Sequence, residues 1–258
     1  MRASEIRQKA RDVLKTLSGK YQLFLISIIL AILTISTTYH EVFSTTIDGI
    51  IDGIKFSFTT SLPSIIGILS TLFLASASYA VLDVIRLKRH HVEVGDNMIV
   101  FSNELFGKYI LTAILKWLFI FLWSLLAAFG VFVFIFGLVY VSEATSIIGY
   151  VAMTIGLIMM IAGAVLTIMK EFSYSMTTYI LYDDVQNGTY EGPRSVIEKS
   201  TKLMNGNKWR FFCLQLSFIG WYLLTGITCG LIYFYTLPYI TTANLLFYDE
   251  LVEMKSLS

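Results

Sequence analysis

Long apolar stretches alternate with short polar intervals along this chain, and the stretches carry almost no charge. Residues 21–39 are uncharged, 58–82 likewise, 117–142 likewise and 147–169 likewise, and a final uncharged stretch covers 211–248. A helix needs ~20 apolar residues to cross ~30 Å of hydrocarbon. Strand-like alternation is absent, and a helix satisfies its own backbone hydrogen bonds in lipid. The pattern predicts an all-α, polytopic transmembrane bundle of about six spans, at 21–39, 62–85, 111–140, 147–170, 210–225 and 231–248, in a single integral membrane domain over 1–258. The last two are separated because 211–248 is far longer than one crossing. The segment TGITCG at 225–230 supplies two glycines for a tight external turn, and a kink is expected at Pro238.

The polar intervals predict short amphipathic surface helices on the cytoplasmic side. In the arm 1–20, Ile6, Ala10, Val13, Leu14 and Leu17 share one helical face and Arg7, Arg11 and Lys15 the other, as in a helix lying on a membrane. A cleaved signal is not expected, since the following run is long for a signal core and no small-x-small site follows it. Interval 40–55 is acidic and reads as an external loop. Residues 98–106 read as a surface helix with Met98, Ile99, Phe101, Leu105 and Phe106 toward lipid. Residues 142–146 form a short external turn. Segment 172–182 either continues the fourth span or kinks along the surface. At 193–206, Pro193 suits a first helical turn and Gly206 an end; Val196, Ile197, Ser200, Leu203 and Met204 fall on one side of this interfacial helix.

Small residues qualify the spans. Ala75, Ser76, Ala77 and Ser78 allow close helix contact in the second span, and Gly149, Gly156 and Gly163 recur every seven residues in the fourth, keeping one side smooth for packing. Lys116, beside Trp117, is expected to snorkel toward headgroups.

Composition sharpens the class: 56% of residues are hydrophobic and 14% charged, which places the chain among membrane proteins. The net charge of +1 conceals an asymmetry. Bases crowd the N-terminal arm, interval 86–108 and interval 194–210, so the positive-inside bias puts both termini in the cytoplasm and leaves Lys55 as the single external base. Cys213 and Cys229 sit in apolar surroundings without metal-ligand or redox spacing.

Catalytic patterns are not found. GxSxG, GxGD, HExxH and a Gly-rich phosphate loop are all missing, and His90 and His91 have no ligand partner at suitable spacing, so neither an enzyme nor a metal or cofactor site is expected. Gln215, Asn244, the 226–230 break and Pro238 are the candidates for a transport path, with Gln215 and Asn244 better read as interhelical hydrogen-bond partners. The remaining chemistry is basic: Arg194, Lys199, Lys202, Lys208 and Arg210 surround the helix at 193–206, where each base near an anionic leaflet contributes ~1 kcal/mol. The function expected is a non-enzymatic scaffold or accessory acting on the lipid bilayer, its anionic lipids or a membrane-protein partner, with no nucleic acid. The alternative is a small-molecule or peptide exporter component.

Four motifs add a resemblance. SYSMTTYILYDD at 173–184, EKSTKLMNGNKWRFF at 198–212, LSFIGWYLL at 216–224 and LPYITTANLLFYDEL at 237–251 are similar to consecutive motifs of a bacterial integral membrane family, domain of unknown function nine-seven-five. This chain has Leu166 and Thr167 where relatives carry Pro-Gly. The resemblance implies a bacterial, mostly Gram-positive, plasma-membrane protein and transfers no reaction or ligand.

Overall fold

The computed structural model describes residues 2–48, 58–143, 147–228 and 230–256. Among them the chain is helical throughout, with one isolated bridge, Ser18 to His91, in place of any strand. Ten α-helices follow in order: α1 Ala3–Thr16, α2 Lys20–Asp48, α3 Phe58–Ile85, α4 Phe106–Glu143, α5 Ile147–Ser173, α6 Thr177–Gln186, α7 Pro193–Met204, α8 Lys208–Leu216, α9 Ile219–Ile227 and α10 Tyr233–Ser256. By length and composition five helical segments can cross a membrane: Lys20–Tyr39, Leu62–Ile85, Phe106–Val141, Ile147–Gln186 and Lys208–Ile227. The chain is thus a helical membrane bundle with five such segments among the described residues, close to the six expected, and α10 is not one of the five. The interval expected to leave the membrane at residue 40 stays helical to Asp48; its remainder, and the centre of the turn at 142–146, lie outside the described residues.

The contacts divide the chain into two units, 1–106 with 213–258, and 107–212. In the first, α10 is the central helix, packed by α1, α2, α3 and α9. Ile6, Ala10, Leu14 and Leu17 are buried as α1 lies along α10. The apolar face expected on lipid therefore turns onto protein, because α10 offers a complementary face that buries the same area. The C-terminal half of α3 is enclosed, Ala75 to Leu82 without a break, which accounts for the small residues there. Ser76 Oγ accepts from Val100 N at 3.0 Å, tying down a 3-10 helix, Val94–Phe101. This corrects the surface helix expected at 98–106: Val100 and Leu105 are buried and Met98 is exposed, because the tighter 3-10 winding shifts which side chains face α3.

The second unit is built on the α4–α5 hairpin, and glycine sets its geometry. A Cβ added to Gly156 would lie 2.7 Å from Phe134 Cα and 2.9 Å from Gly130 O; one on Gly163, 2.7 Å from Ala127 Cα; one on Gly137, 2.8 Å from Gly149 O. The heptad of α5 thus meets a matching one on α4, and the layers Gly163 with Ala127, Gly156 with Phe134 and Gly149 with Val141 set a glycine against a residue with a side chain. Backbones approach to a distance no side chain permits, which is how lipid-embedded helices gain contact without a hydrophobic drive between them. The outer faces are apolar and exposed along most of both helices. Thr167 continues α5 with Thr167 Oγ1 on Gly163 O, so the helix runs unbroken to Ser173. A hydrogen-bonded turn at 174–176 then separates α5 from α6 within the segment Ile147–Gln186.

Candidate functional site

The basic set expected around residues 193–206 belongs to the second unit, at the end of α5. Pro193 opens α7 and Gly206, at φ 80°, follows its last turn, as a residue in the left-handed region after a helix end requires. The face Val196, Ile197, Ser200, Leu203 and Met204 is buried against α6 and α5. The periodicity located these five residues, and their face meets α5 and α6 rather than lipid. Ser200 Oγ donates to Ser173 O at 2.8 Å, which seats α7 on the carbonyl freed where α5 ends.

The five bases do not act alike. Lys199 Nζ donates to both oxygens of Asp184 at 2.9 and 2.8 Å, and Thr189 Oγ1 donates to the same carboxylate at 3.1 Å. Asp184 is a tenth exposed and Lys199 about a third, so this pair fastens α7 to α6 and to the turn between them. Arg194 pairs with Glu198 at 2.8 Å across one helical turn, both exposed; such a pair contributes only ~0.3–0.5 kcal/mol. Arg210 Nη1 donates to the neutral Asn207 Oδ1 at 3.1 Å. Among the described residues no acid lies within ion-pair distance of Lys202 or Lys208. Trp209, between Lys208 and Arg210, is 71% exposed.

Two further cations sit on aromatic rings in this unit. Lys108 Nζ is 5.2 Å from the Tyr190 ring centroid and Lys170 Nζ 4.4 Å from that of Trp123, and both contacts leave the charge formally unneutralised. Lys170 is at the end of the uncharged part of α5, Lys108 near the start of α4. Sequence reading marked them as boundary residues and missed the ring contacts, which depend on antiparallel pairing and loop placement. Lys116, expected to snorkel, is half-buried in α4 with Glu171 as the charge whose field reaches it.

In the first unit, Gln215 Nε2 donates to Asn244 Oδ1 at 2.8 Å, joining α8 to α10 as interhelical partners, and Thr225 Oγ1 and Thr236 Oγ1 are 3.4 Å apart between α9 and α10. Arg86 Nε donates to Asp249 Oδ1 at 2.8 Å, with the guanidinium 5.8 Å from the Tyr248 ring, linking the exit of α3 to α10. Asp83 and Asp96 both pair with Arg89. These ion pairs tie the exit of α3 to the 3-10 helix and to α10.

A family described as protein of unknown function (DUF975) matches residues 1–255, nearly the whole chain, so the protein belongs to that family. No curated protein and no solved structure matches it.

Proposed function

We propose that this family member is a non-catalytic membrane scaffold or accessory that holds anionic lipid headgroups at Lys202, Lys208 and Arg210, on the cytoplasmic side of a bacterial plasma membrane with both termini on that side. The observation that carries the reading is the division of the five bases. Arg194 and Lys199 face carboxylates, whereas Lys202 and Lys208 have no acid in reach, and an exposed indole of the kind that prefers the headgroup level lies between Lys208 and Arg210. Lys108 and Lys170 add charge to the same unit. An exporter component would draw on Gln215 and Asn244, and their mutual hydrogen bond supports a structural role for both instead.

Native mass spectrometry of the detergent-solubilised full chain, titrated with phosphatidylglycerol and with phosphatidylcholine, tests this. Replacing Lys202, Lys208 and Arg210 together by Gln lowers phosphatidylglycerol affinity on the order of 100-fold, at ~1 kcal/mol per base, and leaves phosphatidylcholine binding alone. Arg194→Gln changes little. Equal phosphatidylglycerol binding by the triple variant and the parent chain overturns the reading.

A further inference from the structure

The first unit contains a hairpin whose first arm, α9, is short. It has 9 residues, about 14 Å at 1.5 Å per residue, and reaches the length of a crossing only when α8 is counted with it, as Lys208–Ile227. It is preceded by a break at Ser217 and Phe218, where Trp221 N turns to Phe218 O at 2.9 Å. The released Ser217 carbonyl accepts from Arg7 Nη1 at 3.4 Å. Tyr239 packs edge-on against Phe218, the residue that follows Ser217. Arg7 of α1 therefore marks the level of residues 217 and 239, and arginine keeps to the membrane boundary.

From that level the chain runs about ten residues out and about ten back, uncharged throughout. The turn is tight: Gly230 N donates to Thr225 O at 2.9 Å, and Gly230 takes φ 87°, which a residue with a Cβ resists. Its depth can be read against α2. The Cβ position of Gly230 is 4.0 Å from Ile32 Cγ1. Ile32 is about twelve residues from the basic start of α2 at Lys20, ~18 Å into a ~30 Å core, and α2 continues to Asp48. The burial pattern agrees: none of residues 29–39 of α2 or 62–71 of α3 is buried, whereas both helices bury side chains on the other side of that level, at Leu23, Phe24, Ile28 and Leu72. The outer halves of α2 and α3 extend past the point where α10 turns back.

We propose that residues 219–238 form a re-entrant hairpin, entering from the side of α1, turning near the bilayer midplane and returning, so that its exposed side chains contact the acyl chains of one leaflet only. Ile219, Leu223, Ile227 and Leu231 supply that surface, at 55, 64, 80 and 77% exposure. The backbone stays satisfied at mid-depth because both arms are helical and Thr225 O, Thr228 Oγ1 and Thr236 Oγ1 are engaged within the hairpin. Both termini keep their side, so the inference is independent of the headgroup reading above. A wedge confined to one leaflet gives the chain a means of sensing lipid packing asymmetrically, which a crossing helix lacks.

Depth measurement on the full chain in phosphatidylcholine and phosphatidylglycerol vesicles tests it. In a chain carrying Cys213→Ser and Cys229→Ser, single nitroxides at Leu25, Ile29 and Leu33 set a depth scale along α2; the probes are Ile219, Leu223, Ile227 and Leu231. Oxygen against nickel-chelate accessibility is expected to deepen steadily from Ile219 to Ile227, with Leu231 matching Leu33. A charged maleimide then labels Leu231→Cys from neither face. A depth maximum near Ile219, with Ile227 and Leu231 open to the nickel chelate, identifies a complete crossing and overturns the proposal. Shallow readings at all four sites overturn it equally, by placing the hairpin on the surface. Ile227 and Leu231 report the same level independently, so the loss of one variant leaves the result decisive.

Discussion

Lys199 reaches both carboxylate oxygens of Asp184, at 2.9 and 2.8 Å, from a position 15 residues further along the chain. The pair closes α6, the following turn and α7 into one block, and Asp184 is buried enough that losing its cation leaves a carboxylate short of solvation.

Asp184→Asn and Lys199→Gln are therefore each expected to lower the stability of the detergent-solubilised protein by about 1–3 kcal/mol. The double variant Asp184→Leu/Lys199→Met is expected to unfold closer to the parent than either single variant, since removing both charges also removes the desolvation cost. Thermal unfolding followed by circular dichroism measures all three; additive losses in the double variant count against the pairing.

The glycine seam makes an opposite pair of predictions for one type of substitution. Gly156→Ala forces a methyl group against the Phe134 backbone and is expected to destabilise by ~1–3 kcal/mol, the usual range for overpacking. Gly220→Ala meets nothing within 4 Å, and in a helix alanine is favoured over glycine by about 1 kcal/mol, so it is expected to be neutral or stabilising. Unfolding midpoints of the two variants in the same detergent decide the matter.

Gln215 and Asn244 call for a double-mutant cycle. A hydrogen bond between membrane helices couples by about 0.6 kcal/mol on average and up to ~1.7, and the 2.8 Å geometry here places the expectation toward the upper part of that range. Gln215→Leu and Asn244→Leu should each destabilise, with the double variant losing less than the sum. A coupling energy of zero shows that the two amides act separately.

Sidedness is checked with a membrane-impermeant maleimide on intact cells, in the background lacking both native cysteines. Ile147, 81% exposed at the start of α5, becomes labelled as Ile147→Cys from outside, while Lys202→Cys reacts only after permeabilisation. The reverse pattern overturns the cytoplasmic placement of the basic surface.

The faces of α1 and α7 show how far residue pattern reaches. Ile6, Ala10, Val13, Leu14 and Leu17, and Val196, Ile197, Ser200, Leu203 and Met204, are grouped by helical period alone, and all but the half-buried Val13 are buried. What covers them was not legible. Lipid and a second apolar helix impose the same periodic demand, and only the packing of α10 on α1, and of α5 and α6 on α7, distinguishes them. The seam has the same character: Gly149, Gly156 and Gly163 announce a contact by their spacing, but Gly130 and Gly137 become its other half only once α4 and α5 pair antiparallel in register. Among the five candidate bases, charge and location were readable, whereas the neutralisation of Lys199 required Asp184 to be folded beside it.

By itself the amino-acid sequence determined the class, the number of long apolar helices to within one, the family, and the presence of a turn after residue 225. These follow from quantities local to the chain: the length of apolar runs against bilayer thickness, helical period, and the backbone freedom of glycine and proline. Tertiary structure alone decided which apolar faces meet protein and which bases face a carboxylate, and it placed Gly230 beside Ile32. Those outcomes depend on distances between residues remote in sequence, such as Gly230 to Ile32 and Arg7 to Ser217. Hydropathy records what a residue avoids and carries no information about which neighbour, lipid tail or helix, relieves it.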